Sequence, residues 1–211
     1  MYKFQTLNSV FLYHYADKLF VDYLNKENPH VWDGRLPNPP FLRGSRTKRD
    51  DLKNFIKNKL TLIQGDYCIY CGVKFRTKSE AQREHILPKE TYPEYTFEAQ
   101  NLVLACSRCN GFDFKHIKDY AVVPVVADYH LNNFEIIHPY LDNLHDHLDV
   151  SGVVLAVKDN SPKGHKTIDE FQLNDEYNCN FRGGDIYRKK YEISDGTLLT
   201  LVSRVIKFIR R

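Results

Sequence analysis

Two cysteine pairs with identical spacing are the residues of this 211-residue chain best suited to bind a metal. Cys68 and Cys71 form one C-x-x-C pair, and Cys106 and Cys109 form the other. Four thiolates complete a tetrahedral structural zinc site, and two residues between paired cysteines let both sulfurs reach one ion. The alternatives are two disulfides or unrelated buried thiols, but the N-terminus shows no signal peptide that would indicate an oxidising compartment. We therefore predict a closed zinc site with four cysteine ligands.

A Glu84-His85 dyad lies within the segment that separates the two pairs. This segment, residues 72–105, is longer than the roughly 15–20 residues of a simple zinc ribbon. A histidine with a pKa near about 6.5 can take a proton from water at neutral pH, and a carboxylate suits Mg²⁺. Adjacent strand residues face opposite sides, so both serve one site only if the backbone bends there. These residue types point to phosphodiester hydrolysis.

The segment resembles the HNH nucleases, also called ββα-metal nucleases. The resemblance is carried by E-H-I-L-P at 84–88 and by N-L-V-L at 101–104, which runs into the second cysteine pair and Asn110. It covers residues 66–120. The stretches EHILPKETYP and NLVLACSRCN, with a later G-H-K-T-I run from Gly164, are further similar to PtuB-like bacterial HNH proteins, to about residue 185.

Roles for four residues follow from this resemblance. It implies that His85 is the general base, that Glu84 and Asn110 bind a catalytic Mg²⁺ or Mn²⁺, and that Asn101 braces the loop holding His85. It also implies DNA as the substrate, an SMC-like ATPase as a partner and a role in bacterial anti-phage defence.

The sequence departs from the family pattern at two places. Glu84 stands where many members have aspartate, and its side chain is one methylene longer. A lysine that usually follows the third motif position by three residues lies five residues after Asn110, at Lys115. Asp113 or His116 is therefore open as a further ligand or a phosphate contact.

The remaining patterns place mainly helices around this module. Apolar residues recur at helical spacing over 8–25, and a proline-rich connector follows at 27–44. A basic segment from Arg43 to Lys59 continues as an amphipathic helix, whose charged face either contacts phosphates or is simply solvated. We predict strands at 82–87 and 101–105, and a helix at 110–120 whose N-terminus faces the catalytic metal.

The C-terminal part carries weaker patterns. We predict a hairpin at 150–160 and a helix opened by a capping box of Thr167 and Glu170. An amphipathic helix at 198–211 either packs or binds a partner. The His/Asp-rich stretch at 128–149 fits no ligand spacing, so we expect no second metal there.

The whole chain is predicted to be an α+β protein. A zinc-stapled ββα nuclease module at 64–120 lies between a mostly helical region at 1–63 and a C-terminal extension at 121–211. A net charge of +3 is mildly basic, and no apolar run is long enough to span a membrane, so we expect a cytoplasmic protein. The predicted activity is metal-dependent DNA cleavage. The alternatives are a non-catalytic zinc module that binds nucleic acid or a protein, and an RNA-cutting toxin.

Overall fold

A computed structural model describes four stretches of the chain, residues 2–27, 31–33, 45–111 and 114–191. Three predicted features lie outside these residues: the helix at 198–211, most of the connector at 27–44, and Asp113.

A two-stranded antiparallel hairpin is the centre of the fold. β1 (Gln82–His85) pairs with β2 (Leu102–Ala105), residue for residue from Gln82 opposite Ala105 to His85 opposite Leu102. All four residues of β2 are buried. Both predicted strands are confirmed, although β1 ends at His85. Past that point the Asn101 side chain, rather than a strand ladder, bonds the backbone of Leu87.

The basic helix packs directly on this hairpin. α2 (Ser45–Gln64) buries Ile56 and Leu60 completely and contacts β2. At its C-terminal end the Gln64 amide donates to the Leu104 carbonyl (2.6 Å) and accepts from the Leu104 N–H (2.9 Å). Gln64 therefore satisfies the outer edge of β2 as a neighbouring strand would.

The N-terminal helix is shorter than predicted. α1 (Tyr15–Glu27) begins seven residues after the predicted start at residue 8. The preceding residues form no regular element, because Phe11 is buried in the core and the Tyr13 hydroxyl donates to the Phe97 carbonyl at 2.7 Å. Tertiary contacts thus override the helical spacing of this segment.

The predicted helix at 110–120 is wrong. α3 (Ser107–Asn110) is a single turn that ends at Gly111, whose φ of −82° and ψ of −177° are extended. A Cβ at Gly111 would lie 2.5 Å from the Ser107 carbonyl oxygen. The Sγ of Cys106 accepts the Cys109 N–H at the helix N-terminus, so this amide serves the cysteine cluster and not a phosphate.

Two further strand pairs and three helices follow. The bounds are β3 (Ala121–Val122) paired with β4 (Asn133–Phe134), α4 (Leu144–His147), β5 (Leu148–Asp149) paired with β6 (Ala156–Val157), α5 (Pro162–Glu170) and α6 (Glu176–Lys190). The hairpin near 150–160 is present, with its first strand just before residue 150.

The predicted capping box at Thr167 is wrong. The side chain of Ser161 caps α5 by accepting the Gly164 N–H at 3.1 Å, with Pro162 in the first turn. Thr167 instead lies near the C-terminal end of α5, where its hydroxyl accepts the Ile137 N–H at 2.9 Å.

One hydrophobic core draws on most of the described elements. It extends from Leu7 in the N-terminal segment, through α2 and β2, to Leu173 before α6. Among the described helices, none combines the length and apolar character needed to cross a bilayer.

Candidate active site and metal centre

The four predicted zinc ligands come together in one cluster. The sulfurs of Cys68, Cys71, Cys106 and Cys109 all lie within 4.8 Å of one another, and three of the residues are buried. The Cys71 and Cys106 sulfurs are 3.8 Å apart. A tetrahedral zinc with bonds of about 2.3 Å separates its sulfurs by about 3.8 Å, whereas a disulfide separates them by about 2.05 Å. The cluster therefore has the geometry of a metal site and not of a disulfide pair.

Backbone amides support these sulfurs. The Cys68 sulfur accepts the Cys106 N–H at 3.3 Å, and the Cys106 sulfur accepts the Cys109 N–H at 3.4 Å. Hydrogen bonds from the neighbouring thiols lower the pKa of Cys106 and raise the pKa of Cys71 and Cys109. The cluster thus favours one thiolate by itself, and ionisation of the other thiols calls for a cation. In the part of the chain that the structure describes, this is the one group of His, Cys, Asp and Glu side chains arranged for a metal.

His85 ends β1 with its ring held in one orientation. Its Nε2 lies 3.0 Å from the Thr96 carbonyl oxygen. A carbonyl can only accept, so Nε2 carries the proton and Nδ1 is the unprotonated nitrogen. Burial lowers the pKa of His85 to about 3, and the Thr96 carbonyl opposes this shift. The ring is therefore neutral at neutral pH, as a proton acceptor must be.

Trp32, from the connector, covers His85. The two rings meet edge to face with centroids 4.6 Å apart, and His85 is 7% exposed. Lys53 of α2 holds Trp32 in place, because its ammonium donates to the Trp32 carbonyl at 3.0 Å and lies 4.8 Å from the ring centre. The Asp33 carboxylate pairs with Lys89 at 2.9 Å. The connector therefore contributes to the surroundings of His85.

Glu84 lies on the opposite face of β1 from His85. The one-to-one register through His85 leaves no bulge in the dyad, so the two side chains alternate. Glu84 is buried against Lys115, with 3.6 Å between Oε1 and Nζ, and Lys115 is fully buried. Burial raises the pKa of Glu84 to about 8, and the Lys115 charge opposes that rise. A carboxylate here is stable only beside a cation.

Two buried tyrosines interact electrostatically with Glu84. Within the described residues, neither Glu84 Oε1 nor the hydroxyl of Tyr70 has a hydrogen-bond partner. The Glu84 charge raises the pKa of both tyrosines, although burial is the larger cause. Lys115 lies 5.3 Å from the Tyr120 ring centre. This pocket therefore presents oxygen donors of the type that hard cations bind.

Asn110 and Asn101 occupy different surroundings. The Asn110 amide donates to the Gln82 side chain at 2.9 Å, and Gln82 shares the Glu84 face of β1. Asn101 is completely buried, and its Oδ1 accepts the Leu87 N–H at 2.6 Å. Its Nδ2 donates to the carbonyls of Leu87 (3.1 Å) and Tyr95 (3.0 Å). Asn101 is thus in contact with the loop after His85, whereas no described contact joins Asn110 to Glu84. The catalytic roles of these residues stay predictions.

A cluster of basic residues lies next to the His85 side of the hairpin. It consists of Arg49, Lys53, Lys57 and Arg83, and we name it the cation cluster. Arg83 shares a face of β1 with His85, and its guanidinium donates to the Lys53 carbonyl at 2.8 Å. Burial, followed by repulsion from Arg83, lowers the pKa of Lys53 and Lys57. Mutually repelling cations of this kind favour an anionic partner.

Sequence reasoning missed several residues of the site. Trp32 and Tyr120 carry no pattern that separates them from ordinary core aromatic residues. Lys115 was noted only for its unusual offset, and no spacing indicated that it would be buried against Glu84. The signal for Tyr70 was its place between Cys68 and Cys71, because a knuckle brings its own residues close to the neighbouring strand.

Comparisons with known proteins agree with this architecture. Residues 68–111, from the first cysteine pair to the end of α3, match the HNH endonuclease family. The chain is also 32% identical over 123 residues to Septu protein PtuB of Bacillus thuringiensis. That alignment covers 58% of this chain and 42% of PtuB, so the chain spans less than half of that relative's length. Residues 68–111 therefore match an HNH endonuclease domain, and the chain is related to PtuB over part of its length.

Proposed function

We propose that this protein hydrolyses phosphodiester bonds of DNA, with His85 as the general base. The observation that carries the proposal is the contact of His85 Nε2 with the Thr96 carbonyl, because it leaves Nδ1 as the basic nitrogen. A base for water needs this neutral, oriented form. The HNH domain supports the reaction class.

In the proposed step, His85 Nδ1 takes a proton from the water that attacks the phosphorus. The Thr96 carbonyl keeps its hydrogen bond with Nε2–H and stabilises the imidazolium that forms, in line with its opposition to the lowered pKa. The approach of a phosphate brings negative charge to the ring and raises its basicity. Displacement of Trp32 also raises the basicity of the ring, because solvent then reaches it. His85 is thus a weak base in the covered state and a stronger one with substrate.

The donor atoms on the Glu84 face of β1 are of a type that suits a divalent ion. Glu84 supplies a buried carboxylate oxygen without a hydrogen bond, and Asn110 supplies an amide on the same face of β1. A Mg²⁺ or Mn²⁺ ion bound there would neutralise charge on the phosphoryl and leaving oxygens. Lys115 balances the Glu84 charge when no divalent ion is bound.

The cation cluster supports a nucleic acid as the substrate. Two of its members contact Trp32, the ring that covers His85, so phosphates bound beside them run close to the proposed base. Lys53 and Arg83 both contact Trp32, at 4.8 and 5.7 Å from the ring centre. Contacts of this type fix the position of a strand and read no sequence, so we assign DNA over RNA from the nuclease resemblance alone.

The biological setting is part of the same proposal. The relationship to Septu protein PtuB leads us to propose a defence role, with an SMC-like ATPase as the partner. The five cysteines are not in disulfides, and we place the protein in the cytoplasm, where thiols stay reduced.

A non-catalytic zinc module is the second candidate, and the burial of the dyad favours it. His85 is almost fully covered, and Glu84 lies on the other strand face with Lys115 against it. On this account the cation cluster binds nucleic acid, the cysteine site supports the fold, and no bond is cut.

Cleavage of supercoiled plasmid in Mg²⁺ or Mn²⁺ separates the two candidates. The native chain, His85→Ala and a control substitution at an exposed histidine, His165→Ala, are compared after their zinc contents are shown to be equal. The proposal predicts cutting by the native and His165→Ala proteins and none by His85→Ala. Binding of plasmid without cutting by all three, with the partner ATPase present, supports the non-catalytic module. Parallel reactions on single-stranded and duplex RNA test the toxin alternative.

A further inference from the structure

A chain of buried hydrogen bonds connects the C-terminal part of the protein to the proposed base. It starts at His138, passes through Tyr129 and ends at Asn101, and none of the three side chains is more than 4% exposed. Tyr129 and His138 lie outside the HNH segment at 68–111. Their contacts therefore tie a different part of the chain to the site.

The direction of each hydrogen bond is determined by its partners. His138 Nδ1 accepts the backbone N–H groups of Tyr140 and Leu141, both at 3.2 Å, so the ring proton is on Nε2. Nε2–H donates to the Tyr129 hydroxyl oxygen, 3.1 Å away. That hydroxyl donates in turn to Asn101 Oδ1 at 3.0 Å. The chain thus has one proton arrangement, and it requires the oxygen of Asn101 to face Tyr129.

The orientation of Asn101 matters because its amide holds both backbone segments that place His85. Its Oδ1 and Nδ2 bond the N–H and carbonyl of Leu87, two residues after His85. Its Nδ2 also holds the carbonyl of Tyr95, next to the Thr96 carbonyl that fixes the His85 ring. If the Asn101 amide were flipped, its NH₂ group would face the Leu87 N–H, donor against donor. Its oxygen would face the Leu87 carbonyl, acceptor against acceptor.

We propose that Tyr129 and His138 are positioning residues of the His85 site, acting through the orientation of the Asn101 amide. The expected effect on rate rests on the proposed function, whereas the expected effect on the His85 ring does not. Nothing about the spacing of Tyr129 and His138 in the sequence connects them to the dyad, since they lie over 40 residues beyond it in a stretch of irregular structure.

Removal of the Tyr129 hydroxyl is the direct test. Tyr129→Phe keeps the ring and leaves His138 Nε2–H without its acceptor and Asn101 Oδ1 with one donor. We expect kcat for plasmid cleavage to fall by about tenfold or more with KM unchanged, since a buried polar group loses its partner and the base loses its fixed position. Tyr2→Phe is the matched control, because it removes a partly buried hydroxyl that accepts from Arg182, away from Asn101 and from the segment that carries Thr96.

A pair of His138 variants tests the direction of the chain. His138→Gln places an amide donor where Nε2–H was, whereas His138→Asn keeps an acceptor near Nδ1 and is too short to reach Tyr129. We expect His138→Gln to retain more of kcat than His138→Asn. In the Tyr129→Phe background, the two variants should no longer differ. A merely structural role for His138 would leave the difference between them intact in both backgrounds.

The ¹⁵N spectrum of the His85 ring gives a readout that needs no activity. Native protein should show a single Nε2–H tautomer, and Tyr129→Phe should show a mixture or a broadened signal, with Tyr2→Phe like native. If the native chain cuts no nucleic acid but Tyr129→Phe still alters the His85 ring, the positioning inference stands and the proposed function fails. Native-like kcat and native-like His85 signals in Tyr129→Phe would overturn the inference.

Discussion

At the residue scale, burial acts on three titratable side chains of the site, those of His85, Glu84 and Lys115. Burial favours the neutral imidazole of His85 and raises the pKa of Glu84, while Lys115 opposes the second effect. The two members of the dyad thus meet opposite requirements on opposite faces of β1. His85 needs to be uncharged to accept a proton, and Glu84 needs a nearby cation to hold a negative charge.

Replacement of Trp32 tests the cause of the lowered His85 pKa. In Trp32→Ala the ring that covers His85 is lost, solvent reaches the imidazole, and the pKa rises from about 3 towards about 6.5. Trp32→Phe keeps an aromatic cover and should raise it less. An NMR titration of the His85 ring signals, assigned by their loss in His85→Ala, measures the change. An unchanged pKa in Trp32→Ala would show that other parts of the core desolvate this ring.

At the element scale, the first cysteine knuckle depends on one glycine conformation. Gly72 follows Cys71 with φ +72°, and its carbonyl accepts the Lys3 N–H at 2.9 Å. The knuckle thereby binds the N-terminal segment as well as shaping the cysteine site. A Cβ at this position would lie 2.8 Å from the Lys3 carbonyl oxygen.

Substitution of Gly72 should weaken both the fold and the metal site. We expect Gly72→Ala to lower the free energy of unfolding by at least about 1 kcal/mol, because alanine is strained at positive φ and meets backbone atoms. Gly184→Ala in α6 has open space and should stabilise by about 0.5–1 kcal/mol. Urea unfolding and competitive zinc titration check both variants. Equal stability of the two would contradict this description of the knuckle.

Sequence patterns predicted those elements whose own residues show a helical, strand or cysteine spacing. The cysteine spacing predicted the metal cluster, and the apolar spacing of α2 predicted a helix that packs on the hairpin. The helix at 110–120 failed because Gly111 ends α3 in an extended conformation. The contact of Lys115 with Glu84, like that of Trp32 with His85, comes from tertiary packing, which no local pattern encodes.

At the scale of the whole molecule, two neutral histidines are built into the core. Burial lowers the pKa of His138 to about 3, as it does for His85, with Asp142 opposing and Lys163 assisting the shift. Both pKa values lie below the unfolded value of about 6.5, so below that pH the unfolded chain binds protons that the folded chain does not. Their contribution to stability is present above about pH 6.5 and is lost as the pH falls towards 3.

The predicted acid destabilisation is about 1.4 kcal/mol per pH unit for each histidine, between these limits. His138→Gln binds no proton at this position in either state. As the pH is lowered, its free energy of unfolding should therefore decrease less steeply than that of the native chain, by the contribution of one proton. Urea unfolding from pH 6.5 to 5 measures the two slopes, and protonation of the cysteine ligands cancels in their difference. Identical slopes would mean that His138 is charged in the folded protein.

The most direct measurement of the central claim, that His85 is the general base, is chemical rescue of His85→Ala. Truncation of a buried imidazole leaves space for free imidazole to enter beside the Thr96 carbonyl. We predict that His85→Ala leaves supercoiled plasmid intact in Mg²⁺ or Mn²⁺ and cuts it when imidazole is added, at a rate that follows the unprotonated fraction of imidazole. Cleavage by His85→Ala without imidazole, at the rate of the native protein, would contradict the claim.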